Sequence, residues 1–229
     1  MVSKSGKSKK NLKIFAVIPA YNEAGRISAV LQKVLQYRIS TIVVDDGSDD
    51  KTAEIARRFK ITVLKHKINL GVGAAKKTGV EAAWQLGADA VVMLDADGQH
   101  DPRYIPEFLK KLREGNDIVF GSRNLGLNVP VVRYLGNKIG AVLINLVFGI
   151  YRGDLLCGYL GFTKKAYKKI RWESSRYGVE TEVVARTGKN KLKYAEVPLE
   201  AVYLDKYKGA TILDALAVLP SIVKWRFTN

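Results

Sequence analysis

The chain has 229 residues, 47 % of them hydrophobic, which is enough apolar mass to bury a sizeable core within one large domain. Its 38 Lys and Arg against 22 Asp and Glu leave a formal charge of +16, so the surface attracts polyanions: nucleic acid, anionic lipid or phosphorylated substrates. The single cysteine, Cys157, excludes an intramolecular disulfide and suits a reducing compartment.

Residues 1–12 are rich in Lys, Ser and Gly, lack the apolar core of a signal peptide and read as a disordered basic tail. From residue 13 short β-branched or aliphatic runs recur at 13–19, 41–44, 61–65 and 90–94, as expected of buried parallel strands. Between the first two, Ile27, Val30, Leu31, Val34 and Leu35 fall on one face of a helix. A second helix near 52–59 follows Ser48 and Asp49, either of which suits its N-cap, and a third spans about 73–86. The order β-α-β-α-β-α-β predicts an α/β fold, a mostly parallel sheet flanked by helices with ligands at the carboxyl ends of its strands.

Beyond residue 100 the pattern loosens. Strands are expected near 117–121, 158–163 and 192–203, and an apolar helix near 135–150. The longest apolar stretch, 139–151, is interrupted by Asn145 and falls short of the ~20 residues that cross a bilayer. With basic residues at either end, 138–152 has the character of an interfacial segment. Residues 211–229 read as an amphipathic helix, a second candidate for membrane apposition, because Lys224, Trp225 and Arg226 form a basic and aromatic pairing suited to headgroup depth.

Three predicted strands end in acids. The first runs into Pro19-Ala20-Tyr21-Asn22-Glu23, the second into Asp45-Asp46-Gly47-Ser48-Asp49-Asp50, and the fourth into Asp95-Ala96-Asp97-Gly98-Gln99-His100. A parallel sheet gathers all three at one edge, where crowded like charges need a cation or hydrogen-bond donors to offset them. In an extended segment the oxygens of Asp95, Asp97 and Gln99 alternate to one side, a ligand set for Mg²⁺ or Mn²⁺ holding a diphosphate. A calcium loop is excluded, because its sixth position would be His100 and its twelfth Pro106. The Gly71-Val72-Gly73 stretch lacks the third glycine of a dinucleotide fingerprint and reads as a tight loop entering a helix.

Together with Gly121-Ser122-Arg123, these runs resemble glycosyltransferase family 2, with the GT-A nucleotide-sugar fold, and its dolichyl-phosphate mannosyltransferase-like branch. The resemblance covers about 13–210 and implies a catalytic domain there. It implies donor contacts from Pro19, Ala20, Tyr21, Glu23, Val44, Asp46, Asp95, Ala96, Asp97 and Lys206. It places a Mg²⁺ or Mn²⁺ on Asp95, Asp97 and Gln99, the acceptor phosphate on Arg123, Arg133 and Lys138, and catalysis on Asp97 and Arg123. The family's Asp-Arg-x-x-Gly-x-Ser-Lys end appears here as Asp205-Lys206-Tyr207-Lys208-Gly209-Ala210-Thr211, and Lys cannot reproduce the fork of Arg. Leu160 likewise stands where the family commonly has an Arg.

What the resemblance implies is an inverting transfer of mannose or glucose from GDP-mannose or UDP-glucose to dolichyl or polyprenyl phosphate. It places the protein in the cytoplasm, peripheral on the cytosolic face of a membrane, and admits a separate membrane-anchoring subunit. The alternative is transfer to a glycan or protein hydroxyl, for which Glu180 is the candidate base. Nucleic acid is not an expected partner, because the chain has no zinc-ligand spacing, helix-turn-helix or interleaved basic and aromatic motif.

Overall fold

The computed structural model describes residues 12–123, 131–175, 178–200 and 221–227. In chain order the elements are β1 (Ile14–Ala20), α1 (Ile27–Leu35), β2 (Ser40–Asp45), α2 (Thr52–Arg57), β3 (Thr62–Lys65), α3 (Val72–Gln85) and β4 (Ala90–Met93). There follow α4 (Ile105–Arg113), β5 (Ile118–Arg123), α5 (Val131–Phe148), β6 (Leu160–Thr163), α6 (Lys164–Ile170), α7 (Val179–Lys189) and β7 (Tyr194–Leu199). The strands form one sheet in the order β3-β2-β1-β4-β6-β5-β7. β6 is antiparallel to β4 and β5, while the β1–β2, β1–β4, β2–β3 and β5–β7 pairs are parallel. The expected mixed, mostly parallel sheet is the one observed.

Every residue of β1 is buried, as both faces of a central parallel strand must be when helices cover them. Ile14, Ala16 and Ile18 point into a core shared with Ile27, Leu31 and Val34 of α1 and Phe108 and Leu112 of α4. Phe15 and Val17 point the other way, into a core built with Ala75 and Val80 of α3, Ile144 of α5 and Val183 of α7. β3, at the sheet edge, is only partly covered.

Some expectations change. Neither Ser48 nor Asp49 caps α2; the Asp50 carboxylate accepts from Thr52 N at 2.9 Å instead. Helices α4 and α6 were not among the sequence expectations, although α4 carries a regular stripe of Ile105, Phe108, Leu109 and Leu112. Residues 221–227 are helical, but Trp225 is 4 % exposed and packs in the core, so it is no headgroup anchor. Lys224, exposed like Val223, Arg226 and Phe227, lies 2.8 Å from Glu173. Among the described residues no helix is long and apolar enough to cross a membrane.

Close packing of α3 on the sheet yields a first test. A Cβ at Gly79 would lie 2.5 Å from Val17 Cγ1 and 3.0 Å from Val44 Cγ2. Gly79→Ala should therefore destabilise by about 1–3 kcal/mol through overpacking, outweighing the helix propensity gained, as a shift in urea midpoint would register.

Candidate active site

The β1, β2 and β4 ends lie side by side because their register is parallel: Ala20 pairs with Asp45, and Val17 with Met93. Loops leaving them are stitched together by side chains. Asn22, in the left-handed region at φ 55°, donates its N–H to Ser48 Oγ at 2.9 Å and accepts from Asp49 N at 3.0 Å. Glu23 N donates to Thr52 Oγ1 at 2.8 Å, and Ser48 N to Asp45 Oδ1 at 2.9 Å. These bonds use the short polar side chains of the Asp-Asp-Gly-Ser run, which explains locally why that composition builds a rigid rim.

Asp46 sits at this edge, but its carboxylate is enclosed. It accepts from Leu70 N at 3.0 Å and Gly71 N at 2.8 Å, and it lies 2.7 Å from His66 Nδ1. These three partners belong to the loop between β3 and α3, so Asp46 organises the wall through that loop. Sequence reasoning missed His66, whose other nitrogen is 3.0 Å from Thr78 Oγ1. Val44 is fully buried beneath α3, and Ala20 and Ala96 are nearly so, whereas Tyr21 is 43 % exposed at the mouth.

The segment from Asp95 to His100 is a turn, with Gly98 at φ 82°, and not the extended run expected from alternation. The turn brings the acids together more directly: Asp97 Oδ1 accepts from Gln99 N at 2.9 Å, and the Asp97 carboxyl feels the charges of both Asp95 and Glu23. Burial, then those two carboxylates, push the Asp97 carboxyl above its ordinary range. Asp95 responds in the opposite sense. Burial opposes its ionisation, but Lys76, then His100 and Arg123, outweigh it and hold the carboxyl below its usual range. His100 Nδ1 accepts from Asp95 N at 3.0 Å, so its proton is assigned to Nε2. The ring lies 5.3 Å from Tyr159, which stacks on Phe108.

Asp95 Oδ1 is buried without a hydrogen-bond partner while a third of the side chain stays exposed. An orphaned carboxylate oxygen beside a second, electrostatically strained acid fits a site for a hard divalent cation. Among the described residues no three His, Cys, Asp or Glu are placed to enclose a metal ion. An ion held by Asp95, Asp97 and Gln99 would complete its shell with water and phosphate oxygens, the usual habit of Mg²⁺ and Mn²⁺.

Opposite these acids lie two ion pairs, of which the sequence singled out only Glu180 and Arg123 and not their partners Lys76 and Asp154. Lys76 is fully buried on α3, with Nζ 2.5 Å from Glu180 Oε1 and 3.9 Å from Asp95 Oδ1. At the end of β5, Arg123 grips Asp154 with Nε at 2.7 Å and Nη2 at 2.9 Å, while its backbone N donates to the same carboxylate. Sequence reasoning named Arg123 but not this partner, which fixes the guanidinium's direction. Burial opposes the charge on Asp154, but Arg123 outweighs it and lowers the carboxyl. Stability from this pair is thus present above the unfolded carboxyl's pKa and lost as pH falls through the folded one. Asp154→Asn should flatten the acid limb of stability measured by urea midpoints between about pH 5 and pH 2.

Lys138 lies on an exposed part of α5. Arg133 falls within α5 with its side chain outside the described residues, as is all of Lys206. Burial pushes the Cys157 thiol up to about 12, so it behaves as a core residue.

A mixed sheet whose acidic loops meet at one edge, with helices on both faces, is the GT-A arrangement of nucleotide-sugar transferases. Glucosyl-3-phosphoglycerate synthase from Mycobacterium tuberculosis, solved with Mn²⁺, uridine diphosphate and phosphoglyceric acid, shares this fold at TM-score 0.74 and 20 % identity, covering 96 % of this chain and 81 % of that one. The family model for glycosyl transferase family 2 matches residues 15–171, and the chain belongs to that family: it is a glycosyltransferase. Among its relatives, the UDP-N-acetylglucosamine–dolichyl-phosphate N-acetylglucosaminyltransferase of Methanococcus voltae is 32 % identical, over 84 % of this chain and 86 % of that protein. The undecaprenyl-phosphate mannosyltransferase of Micrococcus luteus is 26 % identical over 93 % and 94 %.

Proposed function

We propose that this enzyme moves a sugar, mannose or glucose, from GDP-mannose or UDP-glucose to dolichyl or polyprenyl phosphate with inversion at the anomeric carbon. The observation that carries the reading is the orphaned Asp95 oxygen next to Asp97 at the edge where the β1 and β2 loops also converge. A lipid-phosphate acceptor is supported by the relatives named above. Asp95, Asp97 and Gln99 would hold a divalent ion, which when bound would supply charge neutralisation for the leaving diphosphate.

The chain's own residues do the rest. An acceptor phosphate oxygen is already largely ionised at neutral pH, since the second pKa of a phosphate monoester is about 6. No general base is needed, so the task is alignment and compensation of charge. Arg123, oriented by Asp154, is assigned to the acceptor phosphate together with Arg133 and Lys138, and Tyr21 and Glu23 to the donor side of the mouth. For transfer to a hydroxyl, Glu180 would have to take a proton, yet it is committed to Lys76 at 2.5 Å, which favours the phosphate acceptor.

Peripheral contact with the cytosolic face of a membrane belongs to the same proposal. The outer face of α5 exposes Ile139, Val142 and Leu146, an i, i+3, i+7 stripe beside Lys138, which supports an interfacial role. A membrane-anchoring partner subunit is compatible with that surface. The test is a donor screen with Mn²⁺ and Mg²⁺, offering polyprenyl phosphate and sugar hydroxyls as acceptors. Product on the lipid phosphate alone is expected; product only on hydroxyls would overturn the reading.

A further inference from the structure

Lys76 is the largest unexplained charge near the site. A lysine with 2 % exposure is costly unless paired, and this one faces two carboxylates from different elements, Asp95 after β4 and Glu180 on α7. All three meet at one point. A Cβ on Gly158 would lie 3.1 Å from Lys76 Nζ, 3.3 Å from Asp95 Oδ2 and 3.3 Å from Glu180 Oε1, so that glycine leaves the space in which they converge. The orphaned oxygen of Asp95 is the one that faces the ammonium. Two carboxylates, Glu180 at 2.5 Å and Asp95 at 3.9 Å from Nζ, compensate the ammonium, as a charged lysine buried this deeply requires.

We propose that Lys76, balanced by Glu180, is a charge-setting and positioning residue that acts through Asp95, so that the site disfavours a bare divalent ion and favours that ion's complex with a nucleoside diphosphate. The inference rests on the metal-and-diphosphate reading of the site given above. A fixed cation beside a metal-binding carboxylate repels a bare divalent ion. The complex of that ion with a nucleoside diphosphate is still an anion, so the same cation attracts it. Lys76 thereby lowers the affinity for the bare ion and raises that for the nucleotide, while the coupling between the two ligands stays set by their own mutual attraction. Glu180 sets how much of the Lys76 charge is felt: its 2.5 Å contact offsets most of it, whereas Asp95 alone, at 3.9 Å, would leave more.

Charge-setting predicts opposite signs for the two partners, which a purely structural role does not. Mn²⁺ alone would be titrated by electron paramagnetic resonance, and GDP and UDP by calorimetry in EDTA and in saturating Mn²⁺. A unit charge at about 4–6 Å in a partly wet site shifts binding by roughly tenfold or more. Lys76→Met should tighten bare Mn²⁺ by about that factor and weaken the nucleotide both in EDTA and with Mn²⁺. Glu180→Gln should weaken bare Mn²⁺. The double variant Lys76→Met/Glu180→Gln, with both charges removed, should return to within about threefold of the parent, and Lys76→Arg should keep both the Mn²⁺ and the nucleotide affinity near the parent's.

Single variants that shift bare Mn²⁺ in the same direction, or not at all, overturn the proposal. Should Lys76→Met fail to fold by circular dichroism, Glu180→Gln and the double variant decide: weakening by the first that the second does not reverse overturns it. A parent protein that binds neither GDP nor UDP with Mn²⁺ overturns the functional reading itself, a distinct result from a parent that binds and variants that do not differ.

Discussion

Asp97→Ala is expected to lower kcat for sugar transfer by roughly a thousandfold, or about 4 kcal/mol of transition-state stabilisation, the scale of losing a group that holds charge where it develops. The same substitution should leave the melting temperature unchanged or slightly higher. Asp97 is raised by burial and by the fields of Asp95 and Glu23, so its ionised form costs stability in the absence of a cation. Removing it relieves that repulsion at the expense of one hydrogen bond, to Gln99 N. Activity falling while stability holds identifies a group retained for ligand binding. Transfer assays beside thermal melts check both halves, and a variant that keeps its activity removes Asp97 from the mechanism.

Glu182→Gln should do the reverse, damaging the fold while touching no proposed ligand. Glu182 is fully buried and accepts from Glu173 N at 2.9 Å, Ser174 N at 3.0 Å, Ser174 Oγ at 2.7 Å and Arg186 Nε at 2.9 Å. An amide cannot accept on both sides, so the change leaves one donor facing another and strips most of the countercharge from Arg186, itself 7 % exposed. Breaking a buried pair in this way costs about 3–5 kcal/mol. In a domain of this size each kcal/mol moves the midpoint about 2–4 °C, so scanning calorimetry should show a fall on the order of 10 °C. The consequence extends to the site, because the segment that Glu182 anchors supplies Ser175 O to Gly73 N at 2.8 Å, at the start of the helix that carries Lys76. A fall of less than a few degrees would show that the network is not the hub its geometry describes.

Sequence by itself determined the sheet's first half and the chemistry of its edge. The runs at β1, β2 and β4 are continuous apolar segments that only a doubly covered parallel strand tolerates, and the acids following them had to gather once those strands ran parallel. Asp95 and Asp97 stood out because acids after apolar runs are local signals, whereas Arg123 was singled out only through the family resemblance. Tertiary structure decided what each charge faces. The Asp95–His100 segment curls into a turn because Gly98 takes a left-handed conformation and Asp97 caps Gln99 N, which alternation did not foresee. Asp46 is spent on a loop 24 and 25 residues away, Arg123 is aimed by a carboxylate 31 residues on, and Lys76 meets Glu180 across 104 residues. Trp225 turned inward for the same reason: at a helix end, its direction is set by where the core lies. Local composition fixes which charges a strand end carries, because hydrophobic burial leaves polar residues at the turns. Pairing across long separations in sequence depends on loop paths that close only when the whole sheet is assembled.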